Sequence, residues 1–170
     1  MHINIETERL RIRPIKLIDA EFIMQLVNSE GWLRFIGNRN ISNTIDAKKY
    51  IQKILDNTKI FYNVFELKEL QKAIGIVTFL EREGERFPDI GFALLPEFEK
   101  NGYTIEASKA YLKEIDTLNE YENIIAITLP DNQKSIRVLR KLGLKYQGDY
   151  KKEDETLSYH SLKKLKETRW

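Results

Sequence analysis

The sequence predicts a mixed α/β (α+β) domain in which helices cover both faces of a central, mostly antiparallel sheet. Strand-like and helix-like segments follow one another in the order β, αα, βββ, α, β, α, ββ. Three consecutive strands are separated by short polar connections, which are typical of an antiparallel meander. A later segment, IIAITL, is apolar on both faces, as expected for a central strand between helices.

The composition fits one soluble domain and excludes several kinds of partner. A chain of 170 residues can bury about 70% of its unfolded surface, so we expect a single domain over residues 1–170. The 28 basic and 26 acidic residues leave a net charge of +2, too small to favour nucleic acid or a membrane surface as the main partner. No apolar run approaches the roughly 20 residues of a membrane span, and MHINIETERL is too charged for a signal peptide. A cytoplasmic protein is predicted.

The absence of cysteine limits the possible chemistry. It removes thiol nucleophiles, zinc–thiolate sites and disulfides together. His2 and His160 stand near opposite ends of the chain with no ligand cluster beside either, so we expect no metal site. A serine triad through His160 would lack the G-x-S-x-G element that presents the serine. Carboxylates, hydroxyls, backbone groups or a cofactor must do the chemistry.

The first third of the chain reads as one strand followed by two helices. Residues 9–15 alternate basic and apolar side chains, which predicts a half-exposed strand that ends near Pro14. One amphipathic helix begins at Asp19 and another around Thr44. The predicted apolar stripes are Phe22, Ile23, Leu26 and Val27 on the first helix, and Ile45, Tyr50, Ile51, Ile54 and Leu55 on the second.

The remaining elements alternate after the meander. Gly143 is expected to end the last helix, because glycine readily takes the left-handed conformation found there. The predicted strands are 61–67, 73–81, 89–95 and 124–129, the helices are 104–116 and 132–142, and two more strands lie within 145–162.

The segment EFEKNGYTIEAS, residues 97–108, joins a strand to a helix through a tight turn. Such a turn points several backbone N–H groups at one place, which is how many proteins hold phosphate. It also follows a central strand, and ligand crevices in α/β sheets open at the carboxyl ends of strands. The alternative is an ordinary junction in which Gly102 only relieves backbone strain.

Five segments in fixed order carry a resemblance that covers nearly the whole chain. They are residues 6–28, 31–55, 74–82, 88–108 and 129–144. The last contains N-x-x-S-x-x-x-x-x-K-L-G and ends in Leu144, where phenylalanine is usual. On these segments the chain resembles the GCN5-related N-acetyltransferase (GNAT) family, and within it the branch similar to the Rim-type ribosomal-protein N-terminal acetyltransferases. The resemblance implies a GNAT-like sheet, acetyl-CoA as cosubstrate and no metal.

The turn departs from the family's Q/R-x-x-G-x-G/A pattern, of which only Gly102 is kept. Glu99 places a carboxylate where Arg or Gln is usual, which could cost on the order of 1 kcal/mol against a bound pyrophosphate. Lys100 could return a positive charge, and Asn101 tolerates left-handed backbone conformations. The resemblance implies that the pyrophosphate is held by Lys100, Asn101, Gly102, Tyr103 and Thr104.

The reaction that the resemblance implies is direct acetyl transfer to an amine, either a protein N-terminus or a small molecule. The backbone of Phe92, Ala93 and Leu94 would pair with the pantetheine arm, and Asn132 and Ser135 would flank it. Ser135 is the predicted partner of the leaving thiolate; otherwise it is a hydroxyl in a polar first helical turn. Asp89 and Glu81 are the candidate bases, although each has the alternative of a simple strand-end carboxylate.

Trp32, Phe35 and Arg39 are predicted to line the acceptor entrance, unless the two aromatic rings belong to the core. The expected partners are acetyl-CoA and the amine, with the protein a monomer or homodimer. A second function stays open: a degenerate member of the family that binds acyl-CoA, or regulates, without turnover. Glu99, Lys100 and the lack of an acid on strand 124–129 motivate that alternative.

Overall fold

The computed structural model describes residues 3–152 and 154–163, so His2 lies outside the described part. The strands are β1 (Ile5–Glu6), β2 (Leu10–Pro14), β3 (Ile60–Leu67), β4 (Lys72–Leu80), β5 (Asp89–Leu94), β6 (Ile125–Thr128), β7 (Lys145–Lys152) and β8 (Glu155–Ser161). The helices are α1 (Ala20–Val27), α2 (Glu30–Phe35), α3 (Thr44–Leu55), α4 (Tyr103–Leu118) and α5 (Gln133–Leu142), with 3-10 turns at Leu17–Asp19 and Pro96–Phe98.

The strands form one mixed sheet in the order β1-β2-β3-β4-β5-β6-β8-β7. Every described neighbouring pair is antiparallel except β5 and β6, which run parallel. The parallel pair follows from chain order, because α4 carries the chain back before β6 begins and parallel strands need such a crossover. The predicted mixed, mostly antiparallel sheet is confirmed.

Two apolar cores lie on opposite faces of the sheet, which confirms the prediction of helices on both. Helices α1, α2 and α3 cover one face, and α4 and α5 cover the other. Alternation along the strands separates the cores, since Ile76 of β4 faces the first group of helices and its neighbour Val77 faces the second.

The structure adds two short elements and corrects one helical stripe. Neither β1, two residues long, nor α2 was predicted, because each is too short to show a period. On α3 the buried residues are Ala47, Ile51 and Ile54, whereas Ile45 is 64% exposed and Leu55 is 37% exposed. The small side chain of Ala47 gives little hydrophobic signal, although it lies four residues before Ile51 on the buried stripe.

Candidate active site

A cleft opens where β5 and β6 separate. The two strands are in register only at Asp89 and Ile125, and the Ile125 N–H donates to the Pro88 carbonyl at 3.0 Å. The cleft has a volume of about 1580 Å³ and extends from the turn before α4 to α2 and α3. A typical small-molecule site has roughly 300–1,000 Å³, so this cleft is large enough for two substrates side by side.

One edge of the cleft is unpaired strand backbone. The Leu95 N–H donates to the Ile74 carbonyl at 2.9 Å, and the register pairs Ala93 with Ile76. Because hydrogen-bonding direction alternates along an antiparallel strand, the backbone of Ala93 faces β4, whereas that of Phe92 and Leu94 faces the cleft. Of the three residues predicted to pair with a pantetheine arm, two therefore present their N–H and C=O groups, and Ala93 lines the cleft with its side chain.

Asp89 lies where the β5–β6 ladder stops. Its carboxylate is only 3% exposed, accepts the Ile127 N–H at 3.3 Å and forms a hydrogen-bonded ion pair with Arg82. In a regular parallel ladder the Ile127 N–H would bond the Ile90 carbonyl instead. Burial raises the pKa of Asp89 to about 6, although Arg82 and the Ile127 N–H act in the opposite direction.

A polar network beside Asp89 was not predicted from the sequence. Glu85, in the connection between β4 and β5, accepts hydrogen bonds from Tyr150 at 3.5 Å and from Tyr159 at 3.3 Å. Burial and the Glu85 carboxylate raise the pKa of Tyr150 to about 12. These tyrosines come from the β7–β8 hairpin, so no local sequence pattern connects them with Glu85.

The second candidate base, Glu81, is not brought to the cleft. It is exposed, accepts a hydrogen bond from Tyr121 at 3.4 Å and is absent from the residues that line the cleft. Its neighbour Phe79, two residues earlier, contacts the same tyrosine edge to face. Residues two apart on a strand share a face, so Glu81 points toward the side of the sheet that carries α4.

The turn before α4 has two residues with a left-handed backbone, Lys100 at φ +67° and Gly102 at φ +80°. Asn101, which tolerates this conformation, does not adopt it. Asn101 stabilises the turn through its side chain instead, because its amide donates to the Phe98 carbonyl at 3.2 Å and the Glu99 carbonyl at 3.0 Å. Glu99, Lys100 and Gly102 line the cleft, and Asn101 does not.

The start of α4 presents unsatisfied donors to the same place. Gly102 is the N-cap and has no side chain to cap the helix, and the first intrahelical bond runs from the Glu106 N–H to the Gly102 carbonyl at 3.0 Å. The N–H groups of Tyr103, Thr104 and Ile105 precede that bond and have no intrahelical acceptor. A helix N-terminus with open N–H groups suits an anion, so the donors fit a phosphate or diphosphate group.

The side chains of Thr7 and Arg9, between β1 and β2, stabilise this turn. Arg9 donates to the Glu106 carboxylate at 2.7 Å and to the Asn101 carbonyl at 3.0 Å, and its guanidinium lies 4.5 Å from the centre of the Tyr103 ring. The Thr7 hydroxyl donates to Glu106 at 2.6 Å. The backbone donors of α4 are thus fixed in place before any ligand arrives.

Two ion pairs cross the cleft to the segment that leads into α5. Lys134 of α5 contacts the Glu99 carboxylate at 2.6 Å, and Asp131 contacts Arg34 of α2 at 3.1 Å. The first pair offsets the repulsion expected between Glu99 and a bound pyrophosphate, because Lys134, which lies outside the turn, opposes the negative charge of Glu99. Lys134 was not among the predicted site residues.

Helix α5 brings both of its predicted residues to the cleft. Asn132 is the N-cap, and its side-chain oxygen accepts the Ser135 N–H at 3.2 Å. Ser135 is half-buried, and its hydroxyl has no hydrogen-bond partner in residues 3–152 or 154–163. The hydroxyl is therefore available to a ligand, while Asn132 fixes the helix turn that carries it.

The three predicted acceptor residues also line the cleft. Trp32 is 3% exposed and packs in the core, and it also lines the cleft. Phe35 is half-buried beneath the Arg34 guanidinium, at 4.8 Å from the ring centre. Arg39 is exposed, 5.8 Å from the centre of the Trp32 ring.

Two further properties of the described residues bear on function. Among them, no group of three or more His, Asp or Glu side chains is arranged to hold a metal ion. None of the described helices has both the length and the apolar character needed to cross a membrane.

Comparison with known proteins connects this cleft with a family. Residues 9–145 match the family model described as an acetyltransferase (GNAT) domain. The chain is 29% identical over 153 residues to a protein named uncharacterized N-acetyltransferase YnaD of Bacillus subtilis (strain 168), covering 89% of this chain and 87% of that one.

Solved structures show the same fold. A GNAT-family acetyltransferase from Bacillus anthracis has a TM-score of 0.78 at 26% identity, covering 94% of this chain and 97% of that one. RimL, the ribosomal L7/L12 alpha-N-protein acetyltransferase in complex with coenzyme A, also has a TM-score of 0.78, at 14% identity over 91% of this chain and 94% of that one. With the family model covering most of its length and the strand-separated cleft in place, the chain belongs to the GNAT family of N-acetyltransferases.

Proposed function

We propose that this N-acetyltransferase transfers the acetyl group of acetyl-CoA directly to an amine in the gap between β5 and β6. The observation that carries this is the unpaired edge of β5 leading into the N-terminus of α4. The backbone of Phe92 and Leu94 and the first-turn N–H groups of α4 line the same cleft. An extended chain that ends in a diphosphate fits these two sets of groups.

When bound, acetyl-CoA supplies the activated thioester. The groups that would hold it are the backbone of Phe92 and Leu94 and the first-turn N–H groups of α4. The first-turn N–H groups need no side-chain rearrangement to bind, because Arg9 and Thr7 already fix the turn through Glu106. Because these donors belong to the backbone, the loss of most of the family's sequence pattern does not remove them.

Ser135 is proposed to donate a hydrogen bond to the sulfur as the thiolate leaves. Its hydroxyl lies at the cleft without a described protein partner, on a helix turn that Asn132 fixes. A donor placed in advance needs no reorganisation during the reaction. No covalent enzyme intermediate is required, in agreement with a chain that has no cysteine.

Asp89 is proposed to accept the proton that the amine loses, directly or through water. A carboxyl with a pKa of about 6 is ionised at neutral pH and is a stronger base than an ordinary aspartate. The demand on the base is modest, because an N-terminal α-amine has a pKa near 8 and is already partly neutral. Glu81 has no part in this proposal.

The acceptor is proposed to enter past Trp32, Phe35 and Arg39. A protein N-terminus is the first class to test, since RimL is named for an alpha-N-protein activity, and small-molecule amines are the second. A single domain over residues 1–170, a cytoplasmic location and a monomer or homodimer remain predictions from the sequence.

The proposal is tested by titrating the purified protein with acetyl-CoA in a calorimeter and then following thioester cleavage with a panel of peptides and small amines. Micromolar binding together with amine-stimulated cleavage is the expected result. Tight binding with no cleavage across the panel would indicate the alternative of a binding or regulatory module. No binding at millimolar acetyl-CoA would overturn both.

A further inference from the structure

We propose that Lys134 of α5, oriented by Glu99, binds the diphosphate of acetyl-CoA alongside the backbone donors of α4. The inference rests on the proposed function and deepens it. It names a specificity-determining side chain outside the turn that carries the backbone donors.

The turn before α4 carries a negative charge beside its phosphate donors. Glu99 lines the cleft directly beside the first-turn donors of α4, and its side chain is 34% exposed. A carboxylate next to a diphosphate repels it, so an anion site built around Glu99 needs a compensating cation. Arg9 is behind the turn and already bonded to Glu106 and the Asn101 carbonyl.

Lys134 lies next to this negative charge. Its ammonium lies 2.6 Å from the Glu99 carboxylate, and its side chain is 67% exposed and lines the cleft. An ammonium group has three donors, and Glu99 uses one of them. Lys134 can therefore keep Glu99 as its anchor while a second N–H binds a phosphate oxygen.

The Lys134–Glu99 pair connects two parts of the proposed site. Lys134 stands one position before Ser135 on α5, and Glu99 stands just before the left-handed Lys100 in the turn. The ion pair thus connects the helix that carries the proposed thiolate donor with the turn that carries the phosphate donors. A ligand running from one to the other passes this pair.

The consequence is selectivity for a cosubstrate that carries the diphosphate. Acetyl-CoA would gain from Lys134, whereas S-acetylpantetheine, which has the same thioester and arm but no phosphate, would not. The attraction is between exposed charges, so it should weaken as salt is raised.

The test is the dissociation constant of acetyl-CoA and of S-acetylpantetheine, measured by calorimetry at low and physiological salt. We expect Lys134→Ala to weaken acetyl-CoA binding about tenfold, and to change S-acetylpantetheine binding less than about twofold. Lys113→Ala, an exposed lysine of α4 outside the cleft, is the matched control and should change neither. The double variant Glu99→Gln/Lys134→Ala should recover about threefold in acetyl-CoA affinity, because the uncompensated carboxylate is gone.

Unchanged acetyl-CoA affinity in Lys134→Ala, with the wild type binding normally, would overturn the inference and leave the proposed function intact. An equal loss for S-acetylpantetheine would also overturn it, since the effect would not depend on phosphate. If the double variant bound no better than Lys134→Ala, the role given to Glu99 would be wrong. Failure of the wild-type protein to bind acetyl-CoA would instead overturn the proposed function itself.

Discussion

The carboxylate of Asp89 accepts the backbone N–H of Ile127 across the gap between β5 and β6. One side chain thereby takes the donor that would have continued the ladder, and it does so at the head of the cleft. The separation of the two strands and the proposed proton acceptor depend on the same residue. The effects of Asp89 variants on catalysis and on folding must therefore be measured separately.

We expect Asp89→Asn to lower kcat/KM about 100-fold and to remove an acid limb near pH 6 from the pH profile. The native pKa of about 6 lies above the ordinary 3.8, so the carboxyl of the folded protein is protonated, and useless as a base, below that pH. The measurement is kcat/KM from pH 5 to 9 with one amine. Asparagine keeps an oxygen for the Ile127 N–H, so the melting temperature and the acetyl-CoA affinity serve as controls for the fold. An acid limb that persists in the variant would exclude Asp89 as its source.

Ser135→Ala should lower kcat about 10- to 100-fold while acetyl-CoA binds almost as before, because one hydrogen bond to the leaving sulfur is lost. Steady-state kinetics and calorimetry measure the two effects. Ser135→Thr, which retains a hydroxyl, is the matched control and should recover part of the rate. If Ser135→Ala kept the wild-type kcat, Ser135 would have no catalytic role and would be only a residue of the first turn of α5.

Gly102→Ala should weaken acetyl-CoA binding several-fold and destabilise the fold by about 1–2 kcal/mol, since Gly102 has φ +80°. A Cβ there would meet nothing closer than an Arg9 nitrogen at 3.7 Å, so the cost is conformational rather than steric. Gly84→Ala is a matched control, because Gly84 has φ +83° with open space around it and lies outside the cleft. It should cost similar stability in urea unfolding and leave acetyl-CoA affinity unchanged. Equal loss of acetyl-CoA affinity in both variants would contradict a specific role of the Gly102 turn in binding.

Gly75→Ala should destabilise the protein by about 1–3 kcal/mol, because an added Cβ would lie 2.1 Å from the Phe65 ring and 2.6 Å from the Ala93 carbonyl. The second contact involves the backbone of β5, so the cleft edge would shift as well. Urea unfolding measures the loss, and Gly31→Ala on α2, with nothing within 4 Å, should be neutral or slightly stabilising. A neutral Gly75→Ala would mean that the Phe65 ring and the backbone of β5 can both move aside without cost.

The parts of the site that could be predicted from the sequence are those fixed by local chemistry. Helix α5 runs from its Asn132 cap to its Gly143 cap, as predicted, because both caps act on their own helix. The alternation of β4 also contained the signal that Glu81 shares a face with Phe79, and reading its parity would have removed Glu81 as a candidate base.

The parts that could not be predicted depend on partners far apart in the chain. Lys134 and Glu99 are 35 residues apart, and Tyr159 and Glu85 are 74 apart. Each residue alone reads as an ordinary surface side chain, and only the sheet order brings the pairs together. The left-handed Lys100 was missed for a different reason, because asparagine is the usual side chain in that conformation and here its amide serves the turn instead.

The unpaired edge of β5 has a consequence for amide hydrogen exchange. The N–H groups of Gly91 and Ala93 face β4 and should exchange slowly, whereas those of Phe92 and Leu94 face the cleft and should exchange quickly, although all four belong to β5. A strand near the middle of an eight-stranded sheet would thus show protection at every second residue. A pantetheine arm bound in the cleft would slow exchange at Phe92 and Leu94. It would pair with the amides of β5 where β6 no longer does.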